Sequence, residues 1–197
     1  MFDQRITLPT GFLLAAAALA LLAVLTSAPS VADGNPPENP TATETAILAG
    51  GCFWGMEDLL RELDGVLDTE VGYAADANRK FITGAEAVRI DFDPTRISYE
   101  ELLDFYFRIH NPTTKHRQGN DIGAEYRSAI FVLSDEQRAT AVRVRAEVDA
   151  SGFWKKPVVT EINDAGRFKV AKAYHQDYLE KNPGGYTCHY VRTDKQQ

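Results

Sequence analysis

The chain has 197 residues and a formal net charge of −7, with no stripe of Lys or Arg to offset it. That balance argues against a nucleic acid as partner. Only two cysteines are present, too few for a disulfide-built scaffold, and the apolar content suffices for one sizeable hydrophobic core.

The first segment reads as a targeting sequence. Residues 11–25 are an almost unbroken run of Leu and Ala, after a short polar start in which Asp3 offsets Arg5. Ser27-Ala28-Pro29-Ser30-Val31-Ala32 supplies the small residues that a signal peptidase needs. Residues 1–32 are therefore expected to be a cleaved export signal, with a periplasmic destination. The alternative is an uncleaved membrane anchor formed by residues 11–25, a run short of the ~20 residues a spanning helix takes. Residues 33–44, rich in Pro, Asn and Thr, read as a flexible linker, and 45–192 as one domain.

Within that domain, Thr45–Ala49 has the pattern of a strand and Phe53–Leu63 that of a helix, with Met56, Leu59, Leu60 and Leu63 at helical spacing before Gly65. Val66–Val71 reads as a second strand and Ala74–Gly84 as an irregular polar stretch. The clearest strand follows, with Glu86, Val88, Ile90 and Phe92 on one face and Ala87, Arg89 and Asp91 on the other. Ser98 and Glu101 form a capping box for a helix that must stop at Asn111-Pro112. Thr113–Tyr126 is a long polar loop, the kind that more often carries function than not. Then come a strand at Ser128–Leu133, a helix capped by Ser134 and Gln137 and running to about Val148, and a strand at Pro157–Ile162. A turn at Asn163–Gly166 and a helix over Val170–Leu179 precede a glycine-hinged tail that carries Cys188. Helices and strands mix without strict alternation, which predicts an α+β domain with a mixed, mostly antiparallel sheet.

Cys52 is the most informative residue. It sits where a strand becomes a helix, in Gly50-Gly51-Cys52-Phe53-Trp54-Gly55. Free backbone N–H groups and the helix dipole there favour a thiolate. The glycines permit a tight turn, and Phe53 and Trp54 offer an apolar wall to a small uncharged group. The bland alternative is a buried structural cysteine. Glu86 points inward from an apolar strand face, where burial raises a carboxyl pKa and fits it for general acid work. It could equally curl into water or pair with Arg79 or Arg127. Asp121, in Asn120-Asp121-Ile122-Gly123, could aim at a site or merely cap a turn. Tyr73 and Tyr126 flank irregular segments and could present a phenol to a ligand. The histidines, His110, His116, His175 and His189, lack metal spacing, so no metal is expected. A Cys52–His175 pair would suit acyl transfer. The two cysteines could form a plain structural disulfide or a redox couple in which a mobile Cys188 resolves an oxidised partner.

Together these residues resemble peptide methionine sulfoxide reductase of the A type. The resemblance spans about Ala49 to Tyr190. It rests on Gly51-Cys52-Phe53-Trp54-Gly55 with Glu57, Val71-Gly72-Tyr73, Ala85-Glu86-Ala87-Val88, Asp91-Phe92-Asp93-Pro94, Arg117 to Gly123 with Tyr126-Arg127-Ser128, Tyr174-His175-Gln176-Asp177-Tyr178, and the tail. It implies a two-layer α/β sandwich with a ferredoxin-like core. It also implies that Cys52 attacks the sulfur of a methionine S-sulfoxide while Glu86 protonates the oxygen. Tyr73 and Tyr126 would assist by hydrogen bonds, Asp121 would support the polar side, and Phe53 and Trp54 would hold the ε-methyl group. Cys52 would become a sulfenic acid, Cys188 would condense with it, and an external thioredoxin-like dithiol would reduce the disulfide. No bound cofactor is implied. The substrates would be oxidised proteins or free methionine sulfoxide, and the enzyme is expected to be a monomer. One departure stands out. Ala74-Ala75-Asp76 replaces the family's Gly-Gly after the tyrosine, the following segment is shortened, and the histidine before the Ala-Glu pair is missing, so one pocket wall should differ.

Overall fold

The computed structural model describes residues 42–78 and 84–193. The expected export signal, most of the expected linker, and Arg79 lie outside them. In chain order the domain comprises β1 (Glu44–Gly50), α1 (Phe53–Arg61), β2 (Val66–Asp76), β3 (Ala85–Phe92), α2 (Tyr99–Ile109), β4 (Arg117–Gln118), β5 (Asp121–Ile122), β6 (Ser128–Val132), α3 (Asp135–Ala150), β7 (Glu161–Val170) and α4 (Tyr178–Lys181). Two short 3-10 turns, Ala124–Tyr126 and Ala173–His175, complete it. The capping box of α2 forms as expected: Ser98 Oγ accepts from the Glu101 amide, and the Glu101 carboxylate accepts from the Ser98 amide. Ser134 caps α3 through the Gln137 amide.

Strands β6, β1, β3 and β2 lie side by side in that order, antiparallel at every step. β7 runs antiparallel to β2 and parallel to β6, the two parallel strands being joined through α3. The sheet therefore closes on itself. This differs from the open sheet of a two-layer sandwich, and the reason lies in β7. The predicted strand ended at Ile162, but β7 continues to Val170 straight through Asn163–Gly166, the predicted turn. Its first half pairs with β6 and its second with β2. Gly166 serves close approach rather than turning: a Cβ there would lie 2.7 Å from the Ala77 nitrogen and 2.8 Å from the Ala75 oxygen.

The two sheet faces divide the labour. On one, Leu48, Val88, Ile90 and Ile130 pack under Phe53, Met56 and Leu60 of α1 and Leu102, Leu103 and Phe107 of α2. The other carries Ala49, Ala74, Ala85, Ala87 and Ala129 with Ile47, Phe131 and Phe168. Small side chains suit the confined interior of a ring with so few strands. The α+β, mixed-sheet expectation holds.

The predicted helix over Val170–Leu179 does not form. β7 claims its first residue, and Asp177 adopts a left-handed conformation (φ 54°) that breaks the rest. Two long-range contacts hold it there. The Gln176 side chain brackets the Val71 backbone, accepting from its N–H at 2.8 Å and donating to its C=O at 2.9 Å. The Asp177 amide donates to the Glu57 carboxylate at 2.9 Å.

Candidate active site

Gly51 turns the chain between β1 and α1 with a φ of +114°, which a side chain would strain. Cys52 is the N-cap of α1 and its sulfur makes no capping bond. The turn rests on a buried polar network. Tyr106 Oη–H donates to the Ala49 carbonyl, His110 Nδ1–H donates to the Tyr106 carbonyl, and His110 Nε2 accepts from Ser128, which also meets Thr160. Burial holds the His110 pKa near 3, so its ring is neutral and both nitrogens are used.

Glu86 reaches the same turn from β3. Its Oε2 accepts the Phe53 amide N–H at 3.1 Å, one of the free donors at the start of α1. The alternative partner Arg127 is otherwise placed: it donates to the Ala124 carbonyl and faces Glu161. Burial raises the Glu86 pKa to about 7; the Phe53 amide pulls it down, and Asp121 and Glu125 push it further up. Tyr73 is the cross-strand partner of Glu86, so phenol and carboxyl share one face. Tyr126, at the end of its 3-10 turn, feels burial first and then Glu86, Asp121 and Cys52, which together push its pKa to about 12.

One expectation needs correction. Cys52 is buried, with 6% of its surface exposed, and its pKa rises to about 12. Burial is the main cause. The Trp54 amide opposes it, as expected of a helix start, but Glu86, Asp121 and Cys188 all add to the rise. The helix terminus loses to desolvation and three acidic neighbours, so the resting species is a thiol.

The aromatic wall is larger than the sequence suggests. Phe53 is 1% exposed and belongs to the core, with its ring 5.7 Å from that of Tyr73 and 5.3 Å from that of His175. Trp54 is the half-buried member. It stacks on Tyr178 and donates from its indole N–H to His175 Nδ1 at 3.2 Å. His175 thus serves the wall rather than pairing with Cys52. In the sequence Glu57 is only one member of a motif, yet it is 1% exposed and central. It pairs with Arg61 at 3.0 Å and accepts from Asp177, tying α1 to the segment that carries His175 and Tyr178. No period-based signal marks it, since it sits on an apolar helix face.

Cys188 is already docked. Both cysteines are free thiols, and Cys188 lies close enough to add to the rise in the Cys52 pKa. The Cys188 thiol donates to Asp121 Oδ2 at 3.5 Å, and Tyr186 donates to the same oxygen at 3.1 Å. Asp121 therefore lies against the second cysteine as well as facing the first. Among the described residues, no three His, Cys, Asp or Glu side chains are grouped as a metal site.

The sequence matches the family model described as peptide methionine sulfoxide reductase over residues 44–197. It is 57% identical over 157 residues to peptide methionine sulfoxide reductase MsrA 1 of Mesorhizobium japonicum, covering 77% of this chain and 91% of that relative. The fold is similar to reduced Mxr1 from Saccharomyces cerevisiae, with a TM-score of 0.71 and 35% identity over 79% of this chain and 95% of that one. Mxr1 in complex with Trx2 is similar at a TM-score of 0.57 and 29% identity, covering 79% and 94% of the two chains.

Proposed function

The chain belongs to the peptide methionine sulfoxide reductase family, and from that premise we propose how its residues divide the reaction. The enzyme reduces methionine sulfoxide with a thiol, and the carrying observation is the Phe53–Glu86 hydrogen bond. It sets a carboxyl with a pKa of about 7 on the first turn of the helix that Cys52 begins. Oxygen moves from the sulfoxide to Cys52: the thiol becomes a sulfenic acid, Cys52–S–OH, and the sulfoxide becomes the thioether of methionine. Glu86, as the acid, donates a proton to the departing oxygen and recovers one from the thiol, so none is lost. Tyr73 and Tyr126 donate hydrogen bonds to that oxygen. Glu86 and Asp121, which raise the Cys52 pKa, disfavour a thiolate but favour the cationic, protonated sulfoxide. Cys52 is therefore activated by its substrate rather than beforehand. Trp54, backed by His175 and Tyr178, holds the methyl group, with Phe53 behind it.

Cys188 then displaces the hydroxyl of Cys52–S–OH. An S–S bond forms, the S–O bond breaks and the thiol proton leaves in water. A thioredoxin-like dithiol restores both thiols by exchange, a reading supported by the similarity to Mxr1 in its complex with Trx2. We read β1–α1–β2–β3–α2–β6 as a ferredoxin-like core, a view supported by the strand order β6-β1-β3-β2, with β7 added to it. The Leu and Ala run at residues 11–25 supports export to the periplasm.

Thiol titration tests the reaction. Each reduced enzyme should lose two thiols and yield one methionine with the S-epimer, and Cys188→Ser should yield one methionine and a trappable sulfenic acid. An unchanged thiol count with both epimers ends the proposal. Mass spectrometry of the mature N-terminus tests export, with a start at Asp33 expected.

A further inference from the structure

His189 takes no part in the chemistry above, yet it is 6% exposed and buried against the turn that bears Cys52. Its Nε2 lies 2.9 Å from the Gly50 carbonyl oxygen. A carbonyl only accepts, so Nε2 carries the hydrogen. The other ring nitrogen, Nδ1, lies 3.5 Å from the Cys188 sulfur. The imidazole thus spans from the strand end before the nucleophile to the resolving thiol.

The surrounding sequence is shaped to admit this ring. A Cβ at Gly51 would lie 3.2 Å from His189 Nε2, and one at Gly55 would lie 2.8 Å from His189 Nδ1 and 2.2 Å from Thr187 Oγ1. Thr187 Oγ1 in turn accepts the His189 amide. The flanking anchors lead elsewhere. Tyr186 bonds Asp121 in the polar loop, and the Arg192 amide bonds the Arg108 carbonyl at the end of α2. Among the described side chains of the tail, His189 bonds the β1–α1 turn itself.

Resting on the reduction proposed above, we infer that His189 is the positioning residue of the resolving step: its Nε2–H bond to Gly50 holds Cys188 facing Cys52. The bond that forms next is the Cys52–Cys188 disulfide, with water leaving, and its rate depends on how often the two sulfurs are in line. Misplacement on the scale of an ångström costs such a step about 100-fold.

The test compares two rates in one protein: the first-turnover release of methionine and the subsequent loss of the sulfenic acid, followed by dimedone trapping and by mass spectrometry of the disulfide. The ratio of resolution to first turnover corrects each variant for its own folding and binding. His189→Ala should lower this ratio roughly 10- to 100-fold. His189→Gln, whose amide nitrogen can reach the Nε2 position, should restore most of it and do so at least as well as His189→Asn, which supplies a polar atom only near Nδ1. An unchanged ratio in His189→Ala overturns the inference. So does better restoration by Asn than by Gln, or restoration by neither, since the Gly50 bond would then not be what matters. Failure of the wild-type enzyme to release methionine at all would instead remove the reduction reading, leaving the two outcomes separable.

Discussion

Tyr178 lies flat against Trp54, with ring centroids 3.8 Å apart and planes 14° from parallel. The stack crosses from the start of α1 to α4, a helix of only four residues. So short a helix does not stand alone; Glu57, Arg61 and Asp177 pin its leading end. The aromatic wall thus depends on a remote segment held by a buried carboxylate.

Removing the outer ring tests that dependence. An aromatic pair contributes about 0.5–1.5 kcal/mol beyond area burial. Tyr178→Ala should therefore raise KM for a sulfoxide substrate roughly 2- to 10-fold while leaving kcat within a factor of about two. Steady-state kinetics with a saturating dithiol checks it, and a fall in kcat at constant KM would place Tyr178 outside the binding wall.

The acid role proposed for Glu86 carries a pH signature. Its protonated form predominates below about 7, so kcat/KM should fall as pH rises through that value. Glu86→Gln should slow methionine release by about 10²–10⁴ and abolish that limb. Glu57 has a pKa raised to about 7 as well, by burial, so Glu57→Gln is the necessary control. It should retain the limb, and pre-steady-state rates from roughly pH 5.5 to 8.5, spanning the titration of both groups, separate the two carboxyls.

Two buried histidines tie stability to pH. Burial lowers the His110 pKa to about 3 and the His189 pKa to about 4, from an ordinary 6.5. The unfolded chain takes up protons that the native one refuses, so this contribution is fully present above the ordinary value. It is lost as pH falls, down to about 4 for His189 and about 3 for His110, at a slope of about 1.4 kcal/mol per pH unit for each ring. Glu57 and Glu86, whose pKa values burial raises to about 7, act in the opposite sense over part of this range, so the test is a difference. Between roughly pH 7 and pH 4 the urea midpoint of His110→Gln should fall less, or rise more, than that of the unaltered enzyme, even if its value at neutrality is lower.

Gly55 sets helix propensity against fit. Alanine in a helix is favoured over glycine by about 1 kcal/mol. Here its Cβ would lie 2.2 Å from Thr187 Oγ1, so the tail must move. Gly55→Ala should slow disulfide formation by about tenfold or more relative to its own first turnover, a smaller misplacement than the ~100-fold case. A faster or equal rate would show that the tail yields without consequence.

The residues that meet at the candidate site were more legible in the sequence than the fold around them. Local chemistry marked Cys52, Glu86, Tyr73, Tyr126 and Cys188, because a cysteine at a strand–helix junction and an acid on an apolar face are visible in one dimension. The state of Cys52 was not visible. Its thiol is set by burial and by three acidic groups from β3, β5 and the tail, all distant in sequence. The same holds for β7, whose Asn163–Gly166 reads as a turn until β2 and β6 are alongside it. It holds too for Val170–Leu179, where bonds from Gln176 and to Glu57 override helical spacing. Glu57 was hidden because a buried carboxylate breaks the pattern by which faces are assigned.

The closure of the sheet has a bearing on the company this enzyme keeps. Among the described residues each of its five long strands has a neighbour on both sides along at least part of its length, with β7 divided between β6 and β2, so the ring offers a foreign chain only short stretches of unpaired backbone. A repair enzyme handles damaged polypeptides whose own strands have come loose and seek a template. A nearly closed ring gives such strands little edge to extend.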